Sequence, residues 1–279
     1  MEKLLKGAPI AKRIKETAKA QVATLPTVPT LAVIQVGDDE AAKVYTGSMK
    51  KLMAGLDIQL LDYPLPDTIL TSELLALIET LNQSPDITGI FVHMPLPSGF
   101  DSHQIVEAID PKKDIDCITM HNMGLVATGN GRIFPCTPAA VLEVLQSYNI
   151  NISGKHVVVI GRSNIVGKPV ATMLTDQHAT VTLCHSRTKD LSIHTQQADI
   201  LIVAVGRANF LTADMVKPGT VVIDVGINLT DEGHLVGDAS FEAVEPVAGS
   251  ITPVPGGVGS VTVAMLARNL LHLYELQQP

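Results

Sequence analysis

The stretch KHVVVIGRSNIVGKPVA, residues 155–171, decides the fold. HVVVIG is a short β-branched run ending on glycine, the pattern of a strand buried on both faces. A helix-like segment follows to about residue 176, and then three more such runs: ATVTLC (179–184), DILIVAV (199–205) and TVVIDVG (220–226). Strands alternating with helices predict a parallel sheet covered by helices. GRSNIVG (161–167) fills the turn between strand and helix, where unpaired N–H groups and the helix dipole suit a phosphate. Gly161 permits a tight turn and Gly167 a close approach of the helix. The spacing is not G-x-G-x-x-G, so an ordinary βα turn fits this segment equally well. After the next strand, CHSRT places Ser186 and Arg187 where NAD-selective folds carry a carboxylate. An arginine there suits a 2′-phosphate and favours NADP over NAD; the alternative is a solvated surface arginine.

Working outward, the first half repeats the alternation. Residues 2–23 read as an amphipathic helix, with Leu4, Ala8, Ala11, Ile14 and Ala18 at helical spacing. Then come a strand (TLAVIQV, 30–36), a helix (39–56), a strand (58–63), a helix (71–83) and a strand (TGIFVHM, 88–94). Residues 110–138, rich in Pro, Gly and Asn, read as irregular interdomain chain. After TVVIDVG, long polar loops lead through ITPVPGGVGS (251–260) to a final helix, 261–276, expected to return to the first domain. The predicted fold is α/β. A discontinuous N-terminal domain of 1–135 and 257–279 accompanies a Rossmann-like domain of 136–256, with a cleft between them. Ligands of open parallel sheets sit beyond the carboxyl ends of the strands. That rule marks 37–40, 64–70 and 93–100 in the first half, and 161–167, 184–189, 206–210 and 226–238 in the second.

Composition narrows the class. Lys and Arg number 20 against 28 Asp and Glu among 279 residues, a formal charge of −8. An acidic chain lacks the basic excess that phosphate neutralisation requires, which argues against nucleic acid as a partner. No apolar run approaches the ~18 residues of a membrane span. The N-terminal MEKLLKGAPIAKRIKETAKA lacks the apolar core of a signal peptide. Three cysteines make no disulfide framework and suit a reducing cytoplasm as single buried thiols. The nine histidines form no ligand-spaced cluster, so no metal is expected.

Several motifs taken together carry a resemblance. In the second half they are VVVIGRSNIVGKPVA, VTLCHSRT, VIDVGIN and ITPVPGGVGSVTVAML; in the first, VYTGSMKK, GIFVHMPLP, DPKKDIDC and FPCTPAAV. In this order, and over nearly the whole chain, they resemble the FolD family of bifunctional methylenetetrahydrofolate dehydrogenase/methenyltetrahydrofolate cyclohydrolases. The resemblance implies two α/β domains, a homodimer, and oxidation of 5,10-methylenetetrahydrofolate by NADP. Matched residue by residue, it assigns Gly161, Arg162, Ser163, Ser186 and Ile227 to the dinucleotide, beside Arg187 from the strand-end argument. It assigns Tyr45, the strand end Val92, His93 and Met94, Asp116, and the loop Pro255, Gly256, Gly257, Val258 and Gly259 to the tetrahydrofolate substrate. Tyr45 would stack on the folate ring, and Asp116 would accept hydrogen bonds from the pterin's amino group and ring N–H. A loop cap is the plainer role for Asp116. For PVPGGVGS, two prolines stiffen the approach and three glycines let backbone near a flat ligand, a capped Pro/Gly turn being the alternative. Ser260 stands where the family commonly has Pro.

Two departures bear on catalysis. The family's helix motif is Y-x-x-x-K, its Lys serving the cyclohydrolase step; four residues after Tyr45 stands Met49. Lys50 is next door, but one residue turns ~100° around a helix. Tyr45, Met49, Leu52 and Leu56 also make a plain apolar stripe. The family's V-Q-L-P-L-P reads VHMPLP, so His93 replaces the Gln partnered with that Lys. An imidazole can serve as a general base near neutral pH, or merely hydrogen-bond backbone or folate. The expectation is a working NADP-dependent dehydrogenase with weak or absent cyclohydrolase activity. The rivals are a fully bifunctional enzyme using His93 or Lys50, and a catalytically silent folate- or nucleotide-binding protein.

Overall fold

The computed structural model describes residues 2–230 and 232–278. In chain order the elements are α1 (Gly7–Val22), β1 (Thr30–Val36), α2 (Glu40–Gly55), β2 (Gln59–Leu65), α3 (Thr71–Gln83), β3 (Gly89–Val92), α4 (Ser102–Glu107), α5 (Met120–Ala127) and α6 (Cys136–Ser147). They continue as β4 (His156–Ile160), α7 (Gly167–Asp176), β5 (Thr180–Cys184), α8 (Leu191–Thr195), β6 (Ile200–Val203), a 3-10 turn (Ala213–Met215), β7 (Val221–Asp224), β8 (Asn228–Leu229), β9 (Leu235–Val236), α9 (Phe241–Val244), β10 (Ser250–Ile251) and α10 (Val258–Gln277).

The chain divides into two compact units. One comprises residues 1–12 and 135–265, the other 13–134 and 266–279, so α1 and α10 each contribute to both. The larger unit holds a five-stranded sheet in the order β10-β7-β6-β4-β5, every pair parallel. β4, β6 and β7 are Val- and Ile-rich and, apart from the half-buried His156, buried throughout, as strands covered on both faces must be. Beneath them lies a core that includes Val158, Leu201, Val203 and Val222. The second unit has a parallel three-stranded sheet, β2-β1-β3, with Ile34, Leu74, Ile78 and Ile90 in its core. Cys117, Cys136 and Cys184 are buried and form no disulfide. Among the described residues no helix is long and apolar enough to cross a membrane.

The structure departs from the sequence reading at three places. The N-terminal helix starts at Gly7 because the residues before it extend the sheet: Ile251 N–H donates to Lys3 O, and Leu5 N–H to Ile251 O. Residues 110–138 are not irregular throughout; α5 and the start of α6 lie within them. The α5 sequence MHNMGLVA is a poor helix former, so tertiary capping decides. Thr119 caps it, and the buried Asp114 accepts from the N–H groups of Ile118 and Thr119, the Thr119 hydroxyl and the Asn122 amide. Finally, the polar stretch after β7 contains the antiparallel pair β8–β9.

Candidate functional site

In the five-stranded sheet the order reverses between β4 and β6, the point where doubly wound sheets bind ligands. Gly161 follows β4 with φ +121°, and a Cβ there would lie 2.1 Å from Ala204 O. Only glycine lets the two strand ends close up in this way. A Cβ on Gly167 would lie 2.0 Å from Gly161 O, so the second glycine lets α7 start directly against the turn. The N–H groups expected to await a phosphate already have partners. Ser163 Oγ accepts from Val166 N–H (3.2 Å) and Gly167 N–H (3.3 Å), and Ser163 O accepts from Lys168 N–H (3.1 Å). Arg162 is exposed beside this turn. Beyond β5 the chain makes a tight turn: Thr188 Oγ1 accepts from His185 N–H, and His185 Nδ1 accepts from Arg187 N–H. The turn holds Ser186 and Arg187 out in solvent, with no carboxylate between Cys184 and Thr188. This donor set fits a dinucleotide bearing a 2′-phosphate.

Farther along the same sheet edge, a pocket of about 230 Å³ lies between Asp224–Ile227 after β7 and the loop Pro253–Ser260. Gly256 has φ +103°, and a Cβ on Gly257 would lie 2.5 Å from Pro253 O. These glycines are required first by the loop's own path. Ser260 does not cap α10; its hydroxyl donates back to Gly257 O (2.8 Å). Ile227 is exposed at the pocket rim, its Cδ1 3.1 Å from where a Cβ on Gly259 would sit. Asp224 is buried beside Asp238. Burial pushes its carboxyl up to about 6, three backbone N–H groups pull it back, and the charge of Asp238 adds to the rise.

In the second unit, Tyr45, Thr46 and Met49 lie on α2, and Val92, His93 and Met94 at the end of β3. The rings of Tyr45, Phe91 and His93 form a cluster, with Tyr45–Phe91 at 5.9 Å, Tyr45–His93 at 6.0 Å and Phe91–His93 at 5.0 Å. Both contacts to His93 are edge-on. His93 Nε2 shares a 2.7 Å hydrogen bond with Thr46 Oγ1. Burial lowers the pKa of His93, and the charges of Asp62 and Asp39 oppose this. Met49 has no exposed surface, and of the apolar stripe Leu52 and Leu56 are buried with it while Tyr45 is half-buried. Lys50 turns away and pairs with Asp62 at 2.6 Å. Asp114 gathers the N–H groups at the start of α5. A parallel bridge between Ile90 and Asp114 directs the chain along β3, bringing half-buried Asp116 toward its carboxyl end.

Sequence reading missed Thr46, Phe91 and the buried pair Asp224 and Asp238. Thr46 had a signal, since it stands three residues before Met49 on one helix face. For Asp224 and Asp238 the signal was their proximity to Gly226 and Gly237 (DVG, GD). Among the described residues no group of three or more His, Cys, Asp or Glu could hold a metal ion.

Comparisons with known proteins agree with this layout. Residues 5–116 match the catalytic domain of tetrahydrofolate dehydrogenase/cyclohydrolase, and residues 135–278 its NAD(P)-binding domain. A Burkholderia thailandensis relative, the bifunctional protein FolD, is 48% identical over 275 residues, covering 98% of this chain and 96% of the relative. The crystal structure of the Campylobacter jejuni bifunctional FolD methylenetetrahydrofolate dehydrogenase/cyclohydrolase superposes with a TM-score of 0.96 at 44% identity, over 99% of both chains. The Trypanosoma brucei methylenetetrahydrofolate dehydrogenase-cyclohydrolase, solved with NADP and an inhibitor, gives 0.93 at 34% identity, over 98% of this chain and 97% of that one. The chain thus belongs to the tetrahydrofolate dehydrogenase/cyclohydrolase family and carries both its catalytic and its NAD(P)-binding domain.

Proposed function

We propose that this protein oxidises 5,10-methylenetetrahydrofolate to the methenyl form with NADP and hydrolyses the methenyl product only weakly. Family membership and the donor set at the ends of β4 and β5 support the first part. The second rests on one observation: Met49, at the position of the family lysine, is a fully buried apolar side chain.

The two reactions ask different things of the chain. NADP, when bound, supplies the hydride acceptor. Folate nitrogen lone pairs stabilise the cation that develops on the substrate carbon, so oxidation needs no protein acid or base. Orientation is what the protein must provide, and it contributes ~7–11 kcal/mol in favourable cases. Tyr45 and its aromatic neighbours would offer the pterin a flat wall, and Asp116 would accept its N–H groups. Pro255 to Gly259 would approach the folate through backbone. Arg162, Ser163, Ser186 and Arg187 would hold the dinucleotide's phosphates, with Ile227 against it. Hydrolysis additionally requires protons to move on and off a tetrahedral intermediate, and losing a proton-transfer group costs ~10²–10⁴ in rate. Met49 carries no proton, and Lys50 is engaged by Asp62.

A second reading, full bifunctionality through His93, draws on the same geometry. Its lowered pKa keeps the imidazole neutral at neutral pH, able to accept a proton, and Thr46 is bonded to it. Assaying the half-reactions separately distinguishes the two. We expect methenyl product to accumulate while NADP is reduced, and Met49→Lys combined with His93→Gln to raise hydrolysis by ~10²-fold. Formyl product appearing as fast as NADPH would overturn weak hydrolysis. Loss of hydrolysis alone in His93→Ala would assign it to the imidazole. The family resemblance supports a homodimer working in the cytoplasm on a folate substrate; sedimentation measures the oligomeric state.

A further inference from the structure

Asp224 and Asp238 have no part in the chemistry above, yet both are buried, at 3% and 0% exposure, at the ligand end of the five-stranded sheet. Asp238 Oδ2 accepts from Val205 N–H (2.6 Å) and Gly206 N–H (2.9 Å). Its Oδ1 accepts from Arg207 N–H and the Asn228 amide, both at 2.9 Å. Asp224 holds Asp238 in turn: Oδ1 accepts from Asp238 N–H (3.0 Å) and Gly226 N–H (2.9 Å), and Oδ2 from Ala239 N–H (2.8 Å). Two glycines make room reciprocally. A Cβ on Gly226 would lie 2.2 Å from Asp238 Cγ, and one on Gly237 would lie 1.9 Å from Asp224 Oδ2.

We propose that Asp238, locked by Asp224, is a positioning residue for dinucleotide binding. It fixes the Val205–Arg207 turn after β6 and Asn228, the neighbour of Ile227, as one preformed surface. The proposal rests on reading this sheet end as the dinucleotide site. The turn begins one residue after Ala204, against which Gly161 packs, so it forms the far wall of the crevice at the order reversal. Four donors converge on two oxygens, and only a carboxylate can accept all four. An asparagine in either orientation sets N–H against N–H for two of them. Because Asp238 is wholly buried, its effect on a ligand must pass through the backbone it holds, which is preorganisation.

The test uses the full chain and titration calorimetry with NADP, alongside urea unfolding and steady-state kinetics. Asp238→Asn should weaken NADP binding by ~10–100-fold and raise its KM alike, with kcat changed by less than ~3-fold. Asp199→Asn is the control. Asp199, at the opposite end of the same sheet, accepts from His156 N–H (3.1 Å) and Lys217 Nζ (3.3 Å). It should lose stability and bind NADP as the parent does. Unchanged affinity in Asp238→Asn, or equal loss in Asp199→Asn, would overturn the proposal. Should Asp238→Asn not fold, Asn228→Ala removes a single donor and should weaken binding by ~3-fold; unchanged affinity would count against the proposal equally. A parent protein that binds no NADP would instead overturn the dinucleotide reading underneath.

Discussion

At the end of the five-stranded sheet, backbone sets the shape: Gly161 and Gly167 let chain segments abut, and buried carboxylates gather loop N–H groups. At the end of the three-stranded sheet, side chains set it: Tyr45, Phe91 and His93 pack ring against ring, and Thr46 bonds the imidazole. A site made of backbone tolerates little change at the positions that permit its path. A site made of side chains can change its chemistry while the fold stays as it is. Met49 and His93, where the resemblance sets the family's Lys and Gln, belong to the second kind of arrangement, on α2 and just after β3.

Glycine substitution probes this contrast most severely. Gly161→Ala combines φ +121° with a Cβ 2.1 Å from a backbone oxygen, so nothing flexible can yield. We expect a loss of ~3 kcal/mol or more in urea unfolding, together with loss of NADP binding. Gly99 provides the counterpart beyond β3. Its φ is +109°, but nothing lies within 4 Å of its Cβ position. Gly99→Ala should cost ~1–2 kcal/mol, from backbone strain alone. Equal costs at the two positions would break the comparison.

The same contrast explains what could be read from sequence. β4, β6 and β7 were legible because buried parallel strands are continuous Val/Ile runs, and Gly161 because it punctuates one. Met49 was legible as a departure only through the resemblance, whose helix motif sets a lysine four residues after the tyrosine. The α5 helix was not, since its stability comes from Asp114, a residue outside it. Nor was Ser163's occupation of the α7 donors, because that depends on how one side chain turns within a loop. The role of Asp238 went beyond its GD signal for a related reason: its four partners lie on segments 205–207 and 228, which only folding brings together.

An intermediate effect belongs to Arg187, exposed on the turn after β5. Arg187→Ala should weaken NADP binding by ~10-fold and leave NAD binding and thermal stability unchanged. Calorimetric titration of both dinucleotides measures this. Equal weakening toward NAD would mean that Arg187 does not meet the phosphate distinguishing the two.

The smallest effect sharpens the side-chain half of the comparison. Thr46→Val keeps the shape of a buried side chain and removes the hydroxyl that His93 Nε2 contacts, at a cost of ~1 kcal/mol near neutral pH. The pH dependence follows from burial, which lowers the folded pKa of His93 below its unfolded value. Just under pH 6.5 the unfolded chain then binds the proton more readily, so the parent loses stability as pH falls through that range. When the ring becomes charged, its Nε2–H donates to Thr46 Oγ1, a stronger bond than the neutral ring makes. Removing that acceptor therefore harms the charged form more, and the deficit of Thr46→Val should grow on acidification. Urea unfolding of parent and variant at pH 7.5 and 5.5 reads the difference, background titrations cancelling between them. A deficit that stays constant would mean that His93 takes up its proton without involving Thr46, and so would deny the pair any joint role in moving protons during hydrolysis.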